Sequence, residues 1–206
     1  MEELKEQSKA EFAFLSSYYD SSLVSWFFKP FYKRIAEEVQ RLPRRRILGI
    51  GCDTATLEIL LTRSFPDSMI IGLDLSRSML EQARKKSAGL TNISFIEGDA
   101  ENLPFPSESF EVVRCSHSFH HYPNQKKALS EMHRVLAPKG TLLLADGLKD
   151  NFLGRCWFFL VERIFEPGVL HFSSRALHEK MAATGLSNIS VKKLMFAYGI
   201  IRAHKI

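Results

Sequence analysis

ILGIGCDTA, residues 47–55, runs from a short apolar strand through a glycine-bearing turn into the helical stretch TATLEILLTRS, where Leu57, Leu60 and Leu61 recur at helical spacing. Gly49 and Gly51 allow a ligand to approach the backbone closely, and the helix start offers free N–H groups. Asp53 and Ala55 stand where a loop of this kind ordinarily carries glycine. The fold and the fate of the loop both turn on this stretch.

Outward from it, strand and helix patterns alternate. SMIIGLD follows Pro66 as a second strand, and SRSMLEQARKKSA is an amphipathic helix with Ser76 as its expected N-cap. NISFIEGD is a third strand and FEVVRCS a fourth. NQKKALSEMHRVLAP is a helix ending at Pro138-Lys139-Gly140, and TLLLAD is a fifth strand. Such alternation means crossover units on a parallel sheet. The tail adds a helix over about 173–184 and two runs, NISVKKLMFA and YGIIRAHK, close enough to pair antiparallel. Before the core, Phe31, Ile35, Val39 and Leu42 form one apolar stripe of a helix, with Pro30 suited to its first turn.

The chain has 206 residues, enough for one well-buried domain. Apolar residues make up 45% and charged residues 25%, an ordinary balance for a soluble protein. Lys plus Arg number 28 against 23 Asp plus Glu, a net charge of +5 that is too dispersed to argue for nucleic acid. The dense run Arg44-Arg45-Arg46 reads as a solvated strand entry. Cys52, Cys115 and Cys156 are far apart, which argues against disulfides and a structural zinc site. The start MEELKEQSKAEF is no signal peptide, and no apolar run is long enough to span a membrane. A cytoplasmic location is expected; the oligomeric state is not written in the sequence.

In an open parallel sheet, ligands bind beyond the carboxyl ends of the strands. Asp74 ends the second strand, where an acid accepts hydrogen bonds from ribose hydroxyls. Asp99 ends the third, where a carboxylate can accept from an adenine amino group. Together with the glycine turn these acids point to a nucleotide-type cofactor. A dinucleotide would put its phosphates near Asp53, and two like charges about 4 Å apart cost about 1 kcal/mol even in water. A cofactor carrying a sulfonium and an ammonium meets no such penalty.

ILGIGCDTA, GLDLS and the long block GDAENLPFPSESFEVV to HSFHHYPNQKKALSEMHRVLAPKGTLLLAD resemble the class I S-adenosylmethionine-dependent methyltransferases, nearest the ubiquinone/menaquinone C-methyltransferases. The resemblance covers about residues 45 to 147. It implies a Rossmann-like three-layer α/β sandwich with a seven-stranded, mostly parallel sheet whose last strand is antiparallel. It implies one domain over 1–206: a helical lid segment (1–44), a cofactor-binding core (45–147), and substrate-side helices with terminal antiparallel strands (148–206). The cofactor implied is S-adenosyl-L-methionine. By the same resemblance Gly51 and Cys52 lie by its methionine part, with Gly49 also counted among the cofactor-binding residues; Asp74 holds the ribose, Leu75 and Met79 pack on adenine, Asp99 with Ala100 reads the adenine edge, and Ser116 sits near the methionine moiety. The family's first motif has an acid where Gly49 stands and glycines where Asp53 and Ala55 stand. Two readings follow: Asp53 supplies from the loop the carboxylate the strand has lost, or the chain is a non-catalytic binding or scaffold protein that kept the fold and lost its cofactor.

Methyl transfer from a sulfonium requires orientation of two reactants, exclusion of water, and a base where the acceptor starts protonated. His120 and His121, in CSHSFHHYPN after the fourth strand, are the candidate bases. His117 joins them, but no matching carboxylate or cysteine set accompanies the three, so no metal is expected. Tyr19, in the aromatic leader, is a candidate lid contact with substrate. In RCWFFLVERIFEPG, Trp157 shares a broad face with Leu160, Val161, Ile164 and Phe165, which either packs on the domain or walls an apolar acceptor. The expected function is methylation of a small, hydrophobic or aromatic acceptor.

Overall fold

A computed structural model of the chain describes residues 23–43, 45–165, 169–194 and 197–206. Tyr19 and Arg44 lie outside the described residues. Helix α1 (Leu23–Gln40) begins earlier than its stripe implied, so Pro30 falls in its interior, not its first turn, and removes one backbone hydrogen bond there. Phe31, Ile35 and Val39 are buried as the spacing required.

The core then alternates: β1 (Arg46–Ile50), α2 (Thr56–Ser64), β2 (Met69–Asp74), α3 (Arg77–Lys86), β3 (Ile93–Glu97), β4 (Phe110–Ser116), a 3-10 turn (Phe119–His121), α4 (Gln125–Val135) and β5 (Leu136–Gly147). After it come α5 (Phe152–Leu160), extended by a π-helical turn (Val161–Phe165), then α6 (Ser174–Ala182), β6 (Leu186–Lys193) and β7 (Tyr198–Lys205). The seven strands lie in the order β3-β2-β1-β4-β5-β7-β6. Pairings among β1 to β5 are parallel, while β7 runs antiparallel to both β5 and β6. The seven-stranded sheet with an antiparallel last strand is therefore present.

Side-chain alternation explains the layers. Leu48, Ile50, Val113, Cys115, Leu142 and Leu144 point to one face and pack with Leu129 and Met132 of α4 and Leu177 of α6. Ile47, Val112, Leu143 and Ala145 point to the other and pack with Ile35 and Val39 of α1 and Leu57 and Leu61 of α2. Both faces are covered, which is why these strands read as nearly continuous apolar runs. Truncating a fully buried leucine such as Leu61 costs about 2–5 kcal/mol.

Helix ends differ in detail from expectation. Asn124 caps α4 by accepting from the Lys127 N–H at 3.1 Å, and Ser173 caps α6 by accepting from Ala176 N–H at 3.2 Å. Ser76 does precede α3, but its side chain makes no capping bond; its hydroxyl pairs with Ser78 Oγ at 2.9 Å. Helix α4 stops at Val135, and Pro138-Lys139-Gly140 belongs to the entry of β5. On α5 the buried residues are Gly154 and Phe158, whereas Trp157, Leu160 and Ile164 are 46%, 43% and 61% exposed. Phe158 wins the packing face because Gly147 leaves room for its ring, which stacks on His171 at 4.1 Å. No helix among the described residues is long and apolar enough to cross a membrane.

Candidate active site

Strand order reverses at β1, with β2 on one side and β4 on the other, so a crevice opens beyond their carboxyl ends. There the chain turns through three left-handed residues, Gly51 (φ 64°), Asp53 (φ 48°) and Ala55 (φ 61°). The positions where glycine is usual thus keep a glycine-like backbone without glycine. For alanine that conformation costs about 1–2 kcal/mol. Gly51 is fixed for a second reason: a Cβ there would run into the Ser118 side chain.

Asp74 holds the turn in place. Its Oδ2 accepts from Asp53 N–H and its Oδ1 from Ser76 N–H, each at 2.9 Å. Burial raises its carboxyl above the ordinary value, against the pull of the N–H donors of Ser76, Asp53 and Leu75. Cys52 N–H donates to Leu73 O at 3.1 Å, tying the loop to β2 a second time. On the next strand end, Asp99 Oδ1 accepts from Glu101 N–H at 2.9 Å.

These elements border an open cleft. Gly51, Asp53, Asp74, Leu75, Asp99, Ala100 and His121 line it, so the two strand-end acids face one space. Cys52 and Ser116 line a smaller cleft that shares Gly51 and Asp53 with the first. Met79 is fully buried in α3 and lines neither, and Gly49 lies within β1 under Glu58 and Arg114. Trp157 is exposed and lines neither cleft. Ser118 and Tyr122, not singled out in the sequence, line the main cleft and join hydroxyls at 3.0 Å. Their signal was weak because both sit in an irregular turn, with only Gly51's need for space to select them.

Beyond β4 the cleft wall is rich in imidazole. His120 Nδ1 lies 2.7 Å from Asp146 Oδ1, both residues buried. The same carboxylate accepts from Gly147 N–H at 2.7 Å and from His120 N–H at 3.3 Å. Burial alone would raise the Asp146 carboxyl, but the charge and hydrogen bond of His120, with His171 and His117 nearby, hold it well below its usual range. The bond places the ring proton on Nδ1 and leaves Nε2 as the basic atom of His120. The His121 ring lies against that of His120, centroids 4.2 Å apart and tilted by 42°, and burial followed by the His120 charge pushes it down to about 3. Burial likewise pushes His117 and His171 down to about 4. Of the two candidate bases, His121 lines the cleft and holds a proton poorly, while His120 stands behind it with a carboxylate partner. Asp146 and His171 were missed in the sequence: Asp146 reads as one more strand end, and His171 lies far from the other histidines along the chain.

His120, Asp146 and His171 also bring ligand-type atoms within 4.8 Å of one another. The His120 and His171 rings stack at 4.3 Å with 20° between their planes.

A methyltransferase domain model matches residues 47–140. A demethylmenaquinone methyltransferase of Listeria welshimeri is 32% identical over 161 residues, covering 75% of this chain and 68% of that one. The corresponding enzyme of Staphylococcus epidermidis is 34% identical over 146 residues, covering 69% of this chain; the chain spans only 61% of that relative's length. A solved structure from Thermotoga maritima, described as an S-adenosylmethionine-dependent methyltransferase and possible histamine N-methyltransferase, superimposes with a TM-score of 0.77. It is 24% identical, with 95% of this chain and 98% of that chain covered. With the sheet order and the cleft described above, these matches establish that the chain belongs to the class I S-adenosylmethionine-dependent methyltransferases, near the demethylmenaquinone branch.

Proposed function

We propose that the chain transfers a methyl group from S-adenosylmethionine to a small, apolar, hydroxyl-bearing acceptor, of which a quinol is the nearest type given the relatives' names. The observation that carries this reading is the single cleft that has Asp74 and Asp99 at one end and the imidazole wall at the other.

The residues present fit the cofactor. Asp74 is buried and bonded by backbone donors, yet a carboxylate has about four lone-pair sites, leaving acceptors for a ribose diol. Leu75 and Ala100 give an adenine ring apolar neighbours, with Asp99 at its edge. Gly51 supplies the close backbone approach. When bound, the cofactor supplies a methyl group on a positively charged sulfur. The chain's own part is to orient the acceptor, exclude water and take up the proton the acceptor loses. The imidazole pair is the proposed route for that proton: His121 meets the cleft and lies against His120, whose Nδ1 is bonded to Asp146.

Thermal unfolding with S-adenosylhomocysteine tests the cofactor assignment. A ligand at a hundred times its Kd adds about 2.7 kcal/mol, a rise in Tm of roughly 5–10 °C for a chain of this size. No rise at millimolar ligand would mean a fold retained without its cofactor. Transfer of tritium from the labelled methyl donor to demethylmenaquinol, set against water-soluble phenols, then tests the acceptor class.

A further inference from the structure

We propose that Glu58 and Arg114 form a subsite for the zwitterionic amino-acid end of the cofactor, with Glu58 on α2 standing in for an acid that β1 does not carry at position 49. The proposal rests on the methyltransferase reading above and adds to it the residues that read the charged end.

Gly49 pairs with Arg114 across the β1–β4 register. A Cβ built on Gly49 would strike Glu58 Oε1 and lie 2.9 Å from both Nε and Nη2 of Arg114. The space a strand acid would occupy is therefore filled by a carboxylate arriving from the first turn of the next helix. Sequence reading had offered Asp53 for this role; the geometry assigns it to Glu58.

The pair is not a saturated structural salt bridge. Glu58 and Arg114 are ion-paired with side chains 1% and 3% exposed, and Arg114 Nη1 donates to Ser116 Oγ at 2.8 Å. Yet Glu58 Oε2 and Arg114 Nε have no hydrogen-bond partner among the described residues. Buried charged groups are ordinarily fully bonded, because each unmade bond there is costly. One orphan acceptor and one orphan donor of opposite charge, side by side, complement an ammonium and a carboxylate borne on one carbon. Both residues line the smaller cleft, which shares Gly51 and Asp53 with the main one. A molecule with its nucleoside between Asp74 and Asp99 thus has this charged pocket as the next surface along the loop.

The test is calorimetric titration with two ligands that differ only at the amino-acid end, S-adenosylhomocysteine and 5′-methylthioadenosine. Glu58→Gln is expected to weaken S-adenosylhomocysteine by about tenfold or more while changing methylthioadenosine less than about twofold. Equal losses for both ligands, or an unchanged affinity for S-adenosylhomocysteine, overturn the proposal. Should Glu58→Gln not fold, the double variant Glu58→Leu/Arg114→Met leaves no charge unpaired in the interior and keeps the fold; the same selective loss is expected of it. Wild-type protein that binds methylthioadenosine as tightly as S-adenosylhomocysteine overturns the subsite alone. Wild-type protein that binds neither overturns the methyltransferase reading beneath it.

Discussion

The two ends of the cleft are built by opposite means. The loop end, residues 51–55 with Asp74, is shaped by backbone: three left-handed residues and N–H groups donating to one carboxylate. The wall end is shaped by side chains from the turn after β4, from β5 and from the segment before α6, where His117, His120, His121 and His171 lie around Asp146. The first end stores conformational strain and the second stores desolvation. On the proposed reading, fixed dipoles meet the nucleoside, and groups whose charge burial and one carboxylate control meet the acceptor.

Three experiments test this contrast. The largest effect is expected at the wall. Asp146→Ala removes the partner of His120 and leaves buried N–H groups unmade. Breaking such a buried pair costs about 3–5 kcal/mol, a fall in Tm of roughly 6–20 °C at this chain length. Scanning calorimetry showing no change would deny the wall its stated source of stability.

Acid should weaken the wall selectively. His117 and His121 sit near about 4 and about 3 in the native protein because burial disfavours their charged forms. In the unfolded chain both take protons near ~6.5. Above that pH neither state is charged and stability is flat. Below it the unfolded chain binds protons the native protein refuses, so stability falls as pH drops toward 4, by about 1.4 kcal/mol per pH unit for each histidine. Urea unfolding at several pH values reads the slope, and His121→Gln should lower it by one histidine's share. An unchanged slope would place the acid sensitivity elsewhere.

The smallest effect belongs to the loop. Ala55→Gly relieves the left-handed strain at φ 61° but adds unfolded-state entropy, for a net gain of about 0.5–1 kcal/mol. A destabilised variant would show that the loop end is held by packing and not by backbone conformation.

The same division governs what could be read in advance. Asp74, Asp99 and Gly51 were legible because strand ends and glycine turns are local patterns, and a parallel sheet aligns those ends automatically. Met79 was placed by the family resemblance and Trp157 by its position in an amphipathic helix. Periodicity gives a helix two edges without saying which is covered: Met79 turned fully inward, and Phe158 took the packing face that Trp157 was expected to share. Glu58 was read only as a helix residue, since its relation to position 49 exists across a helix, a strand and a neighbouring strand at once.

By itself the sequence determined the alternation of strands and helices, the sheet they make and the acids at its edge. Each follows from hydrophobic period, turn chemistry and chirality acting over a few residues. Tertiary structure alone decided which charges are paired, which imidazoles are kept neutral, and that a carboxylate from α2 fills the place above Gly49. Those outcomes depend on burial and on distances between segments far apart in the chain, and no local pattern encodes either.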